Sequence, residues 1–150
     1  MIELENKGYS NRETSRILKI NRKTVAKYWN EYKENVKNID NMPQSAFDEI
    51  IEKYVEMNIA HPFREGNGRS SRIWLDHILR TEIGKVVDWS KVGKNDYLLA
   101  MERSPIKDVE IKVLLKAALT DEIYSREVYM KGVDQSYFYE GYTMFMAEEL

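Results

Sequence analysis

Twelve consecutive residues, His61-Pro62-Phe63-Arg64-Glu65-Gly66-Asn67-Gly68-Arg69-Ser70-Ser71-Arg72, bring together a base, a carboxylate, two glycines and three arginines. Gly66 and Gly68 let the backbone come close to an anion. The residues after them open a helix whose free amides favour negative charge. Arg69 and Arg72 lie three apart on one face of that helix, where both can grip neighbouring phosphate oxygens. Glu65, just before the glycines, is close enough to hold the magnesium that accompanies a nucleotide's phosphates. His61 is the obvious general base, because its unperturbed pKa lies near neutrality. Gly-Asn-Gly alone would read equally well as a turn beside solvated arginines. A turn, however, requires neither the histidine, the glutamate nor the arginine pair.

Such a loop needs a helix on each side. Pro43 suits the first turn of a helix in which Phe47, Ile50, Ile51, Tyr54, Val55 and Ile59 form an apolar stripe, ending at Ala60-His61-Pro62. Beyond the loop, Ile73, Trp74, Ile78 and Leu79 mark a second helix that Gly84 stops. His77 sits on it at helical spacing and reads as structural or exposed. Further helices are expected over Lys94–Arg103, ended by Ser104-Pro105, and over residues 106–119. No strand pattern is convincing, so the expected fold class is all-α.

At 150 residues and 43% hydrophobic content the chain suits one domain, or one with a small appendage. The absence of cysteine excludes disulfides and thiolate zinc sites. No apolar run approaches membrane-spanning length and no signal-peptide core stands at the N-terminus, so a cytoplasmic location without membrane association is the expectation. The net charge of −2 is unevenly spread: residues 1–40 hold nine Lys/Arg against six Asp/Glu, and the remaining 110 hold 14 against 19. That asymmetry points to two segments of different purpose.

In the first segment, Ser10-Asn11-Arg12-Glu13 is a capping-box pattern, and the helix it starts should carry Ile17 and Leu18 inward. Lys19-Ile20-Asn21 makes a turn. Asn21 can cap a second short helix with Val25, Ala26 and Trp29 on its inner face and Arg22, Lys23, Thr24 and Lys27 outward. This stretch resembles the helix-turn-helix of bacterial insertion-sequence transposases, which implies DNA contact through those four outward residues. The alternative is an amphipathic helical hairpin with a solvated basic face.

The central stretch resembles the signature of the Fic family, H-P-F-x-D/E-G-N-G-R-x-x-R, with every defined position filled. The resemblance implies a Fic-type helical bundle that moves AMP from magnesium-bound ATP to a hydroxyl side chain of a target protein. On that reading His61 deprotonates the hydroxyl and Phe63, after Pro62, anchors the loop. Glu65 holds magnesium, and Gly66, Asn67 and Gly68 cradle the α- and β-phosphates. Arg69 binds the β-phosphate and Arg72 the γ-phosphate. Positioning plus charge neutralisation is what phosphoryl-type chemistry needs from a protein.

Near the C-terminus, Ser136-Tyr137-Phe138-Tyr139-Glu140-Gly141 places Ser and Glu four apart on one helical face. Taken alone, Tyr137, Phe138 and Tyr142 would be core packing and Glu140 a surface charge. Beside the signature, the segment resembles the family's inhibitory motif, S/T-x-x-x-E-G/N, on a helix at about residues 133–141. The resemblance implies that Glu140 pairs with Arg72 and denies it to the γ-phosphate, while Ser136 helps to hold the helix.

The expected organisation is a helix-turn-helix-like segment over 1–37 and a Fic domain over 38–150. Small family members carry a further helix and a β-hairpin flap before the helix at Pro43; in this chain the helix-turn-helix-like segment occupies those positions. The partners implied are a protein with a Ser, Thr or Tyr hydroxyl, such as a bacterial topoisomerase, the chain itself in self-modification, DNA, and a second copy in a homo-oligomer. The competing functional readings are a DNA-binding regulator and a truncated relic that binds nucleotide without efficient transfer.

Overall fold

The computed structural model describes residue 4, residues 7–60 and residues 66–141. Among these the chain is all-α apart from one small sheet. Ser10 and Glu13 form a reciprocal capping box, Glu13 Oε2 accepting the Ser10 N–H at 2.9 Å, and so start α1, Asn11–Leu18. Lys19 ends it in the left-handed region at φ 55°, with Ser15 Oγ donating to Ile20 O at 2.6 Å. Asn21 Oδ1 then accepts the Lys23 N–H and caps α2, Arg22–Asp40.

Two expectations for this segment are corrected. The second helix is not short: its 19 residues run about 28 Å at 1.5 Å each. Ile17 and Leu18 do not point inward but are exposed, and the buried residue of α1 is Thr14, with Val25 of α2 also fully buried. Arg22, Lys23, Thr24 and Lys27 face solvent as expected.

The helix expected from Pro43 begins later, at Phe47, and runs to Ala60 as α3. Glu49 sets the start: its Oε2 accepts from Ser45 N–H, Ser45 Oγ–H and Ala46 N–H at 2.7–3.1 Å, leaving Pro43 outside the first turn. Lys53 is buried on the side read as polar; its ammonium donates to Asp40 O and Gln44 Oε1 and ties the end of α2 to α3. Ile50, Ile51, Tyr54 and Val55 are buried as expected, whereas Ile59 is exposed.

Helix α4, Asn67–Ile83, ends at Gly84 in the left-handed region, as its glycine requires. Together α3 and α4 form the most extensive helix pair. On α4 the core residues are Leu75, Ile78 and Leu79, and Ile73, expected inside, is exposed. His77 is exposed. Strand β1, Val86–Val87, pairs antiparallel with β2, Leu119–Thr120, with Val86 opposite Thr120. Two residues per strand are too few for alternation to show in sequence. Between them lie a 3₁₀ turn at Trp89–Lys91, α5 at Lys94–Arg103 and α6 at Val109–Ala117. Helix α7, Arg126–Tyr139, closes the described chain, capped by Ser125 and starting seven residues before the inhibitory helix was expected. The expected division at residue 38 falls inside α2, so it marks no break in secondary structure.

One part-buried carboxylate fixes the turn after α4. Asp76 Oδ1 accepts the Val87 N–H at 2.9 Å and Oδ2 the Trp89 Nε1–H at 2.8 Å. Burial pushes this carboxyl up to about 6, against the opposing pull of those two donors and Arg80. The value lies above the unfolded reference of about 3.9, so between these pH values the native state keeps a proton that the unfolded chain releases. The carboxyl's contribution to stability is therefore present below about pH 4 and is lost as pH rises through about 6. Urea unfolding of the wild type and Asp76→Asn at pH 4, 5, 6 and 7 should show the wild type's relative stability falling with pH. A relative stability that rises over that interval contradicts the assignment.

Candidate functional site

Helix α4 starts at a glycine that no other residue replaces without strain. Gly66 is its N-cap at φ 74° and ψ 18°, with no side-chain cap, so the first amides of α4 face the space before it. Those amides and their dipole suit an anion. A carboxylate occupies that position: Glu140 Oε1 accepts the Arg69 N–H at 3.1 Å.

The same carboxylate bridges both arginines of the signature. Glu140 Oε2 pairs with Arg69 Nε at 2.9 Å and Oε1 with Arg72 Nη2 at 3.2 Å. Arg72 has a buried side chain and further partners on α7, donating from Nε to Ser136 Oγ at 2.8 Å and from Nη2 to Ser136 O at 3.0 Å. Its guanidinium lies 5.2 Å from the Tyr139 ring centroid and 5.7 Å from that of Tyr97. Arg69 lies 4.9 Å from the centroid of Tyr137.

The geometry at the end of α7 follows from the local sequence. Gly141 adopts φ +82° and its N–H donates to Phe138 O, which stops the helix immediately after Glu140. Ser136, one turn earlier on the same face, meets the same guanidinium. The ring that anchors this end is Tyr139, buried and stacked on Tyr97 at 4.7 Å. Its hydroxyl donates to Val92 O at 2.5 Å and Trp89 O at 3.1 Å, and burial pushes its pKa well up, so it stays a donor. Phe138 is exposed, contrary to its assignment as core, and Tyr142 lies outside the described residues.

His61, Pro62, Phe63 and Glu65 lie outside the described residues, so the expectations for the base, the loop anchor and the magnesium ligand rest on sequence. Gly66, Asn67, Gly68, Arg69, Arg72, Ser136, Glu140 and Gly141 come together at the junction of α4 and α7. Three contributors were not read from sequence. Tyr97 and Tyr139 flank Arg72 on the core side, and Asn58 near the end of α3 accepts the Ser71 hydroxyl at 3.0 Å. Among the described residues no three His, Asp or Glu side chains converge as a metal site.

The sequence profile of the Fic/DOC family matches residues 13–79, somewhat less than half of the chain. It is also similar to a protein named protein adenylyltransferase VbhT from Bartonella schoenbuchensis, 34% identical over 74 residues. That match covers 49% of this chain and 15% of the relative, so the chain spans a small part of that protein's length. The profile match starts inside α1, within the segment read as helix-turn-helix-like.

Gly68 decides how closely the carboxylate and the guanidinium can approach the helix. A Cβ there would stand 3.1 Å from both Arg72 Nη1 and Glu140 Oε1. Glycine to alanine inside a helix ordinarily stabilises by about 1 kcal/mol. At Gly68 that gain should be absent or reversed, because the pair must shift to admit the methyl group. Thermal unfolding of Gly68→Ala checks this, and a clear rise in melting temperature would show that the junction is not tight.

Proposed function

We propose that the chain is a protein adenylyltransferase held in check by its own C-terminal helix. It transfers AMP from ATP to a Ser, Thr or Tyr hydroxyl of a protein. The observation that supports this reading is the Glu140 carboxylate at the N-terminus of α4, bonded to both signature arginines and to a backbone amide. A pocket that accommodates one anion by these donors suits the phosphates of a nucleotide, which present the same acceptor chemistry.

In the reaction, the target hydroxyl oxygen bonds to the α-phosphorus, the bond from that phosphorus to the bridging oxygen breaks, and pyrophosphate leaves. His61 takes the hydroxyl proton. The amides following Gly66 and the guanidinium groups of Arg69 and Arg72 neutralise the phosphate oxygens and fix their orientation. Glu65, next to Gly66 in sequence, would hold magnesium, which supplies further charge neutralisation when bound.

Inhibition follows from competition for the same donors. While Glu140 engages Arg72 and Arg69, a γ-phosphate cannot use Arg72, and the phosphate chain settles in an unproductive orientation. The main loss is orientation rather than affinity, and misplacement of reacting atoms costs about 10²-fold in rate.

Labelled-ATP assays on a bacterial lysate test both parts. Glu140→Gly should raise AMP labelling by roughly 10- to 100-fold, and His61→Ala should abolish it in either background. Equal labelling by wild type and Glu140→Gly would sink the inhibitory role. Nucleotide binding by Glu140→Gly without any labelling would favour a relic that retains only the pocket.

A further inference from the structure

The charge of the N-terminal segment is more concentrated than its total suggests. Residues 12–27 hold Arg12, Arg16, Lys19, Arg22, Lys23 and Lys27 against one acid, Glu13, a local surplus of five in a chain of net charge −2. All six cations are exposed. Glu13 is turned back onto Ser10 as a helix cap, accepting from both its N–H and its hydroxyl.

The frame that carries these cations is fixed. The turn between α1 and α2 has three residues, and four local bonds hold it: Lys19 N–H and Ile20 N–H to Ser15 O, Ser15 Oγ to Ile20 O, and Lys23 N–H to Asn21 Oδ1. Thr14 and Val25 are fully buried, so α1 is seated on the inner face of α2. Lys23 and Lys27 lie one turn apart on the outer face, flanked by Arg22 and Thr24. Further along that face Glu31 pairs with Lys27 at 3.8 Å, which confines the positive region to the first two turns. Both partners are well exposed, so the pair is weak and yields readily to another anion.

We propose that this surface docks on duplex DNA, with the first two turns of α2 entering the major groove and Arg12, Arg16 and Lys19 on flanking phosphates. A helix of about 10–12 Å diameter matches a groove about 12 Å wide. The major groove of A-form RNA is too narrow to admit it. An interfacial membrane helix would need a continuous outward apolar face; the segment exposes Ile17, Leu18, Ile20 and Tyr28 but buries Val25, so anionic vesicles are the competing ligand in the test. The inference is independent of the adenylyl-transfer reading: it uses no residue of the α4–α7 junction, and either can fail alone.

The test is fluorescence anisotropy of the full 150-residue chain with a labelled duplex of about 20 base pairs, over about 50–300 mM salt. Each phosphate contact contributes about −0.9 to the slope of log affinity against log salt, so three to six contacts give about −3 to −5. Arg12→Gln/Arg16→Gln/Lys19→Gln should make that slope shallower by about 2–3 and weaken binding at the lowest salt at least about tenfold. Glu31→Gln, which frees Lys27, should tighten binding and needs no loss of structure to be read. An absent duplex interaction at the lowest salt, an unchanged slope in a triple variant with native helical circular dichroism, or tighter binding to a single strand, duplex RNA or anionic vesicles would overturn the proposal. If the triple variant loses helicity, the wild-type slope and Glu31→Gln decide.

Discussion

The structure depends on a guanidinium that is taken out of water. Arg72 is 4% exposed, and a buried charge is tolerated only when it is paired and its N–H groups are satisfied. Here Glu140, Ser136 and Tyr97 supply oxygen atoms on one α-helical turn and from α5, and two aromatic faces cover the rest. Removing one partner of a buried pair costs about 3–5 kcal/mol. The cost at Glu140 falls below that range, because its side chain keeps 23% of its surface and the other acceptors remain.

From Arg72 the constraint runs in a closed circuit back to the same helix. The Tyr139 ring lies against Arg72, and its hydroxyl reaches Trp89 and Val92 in the turn before α5. Trp89 packs edge-on against Tyr139 and Tyr97 and donates to Asp76, one turn after Arg72 on α4. Gly132 makes room for this indole, since a Cβ there would stand 3.3 Å from Trp89 Cδ1. One face of α4 thus holds α7 at two points through an aromatic cluster. The position of Glu140 at the N-terminus of α4 is consequently fixed by packing along the helix, in addition to the ion pair itself.

Much of this was legible because it rests on short-range rules. The glycine at 66, the glycine at 84, the capping box at Ser10 and the helix over Lys94–Arg103 are local, and the chain adopts them as read. The meeting of Glu140 with Arg72 was legible only through the resemblance of two motifs 68 residues apart, and the engagement of Arg69 by the same carboxylate was not. Inside-outside assignments failed where an apolar residue lay at the edge of a stripe: Ile17, Ile59, Ile73 and Phe138 are exposed. Periodicity gives the direction of a stripe but not its width, which depends on the neighbouring element. Lys53 is the converse case, buried because the end of α2 happens to offer it two acceptors. Tyr97 and Tyr139 could not be told from ordinary core aromatics, since nothing in their local sequence encodes the cation they cover.

The two arginines are not equivalent, and the difference bears on how a glutamate can act as an inhibitor. Arg72 is held by Ser136 through two bonds and by Tyr97 through a third, none of which involves Glu140. It is therefore pre-organised, and losing the carboxylate leaves it aimed at the same place with one acceptor position vacated. Arg69 has a side chain 28% exposed over the Tyr137 ring, so it is the less enclosed of the two. A carboxylate already fixed beside the arginines competes without a further ordering cost, yet it offers one acceptor group against the summed contacts of a whole nucleotide. On the proposed function, the helix end is thus built to misdirect a bound nucleotide rather than to exclude it, because the contact it contests is the one with the fixed cation.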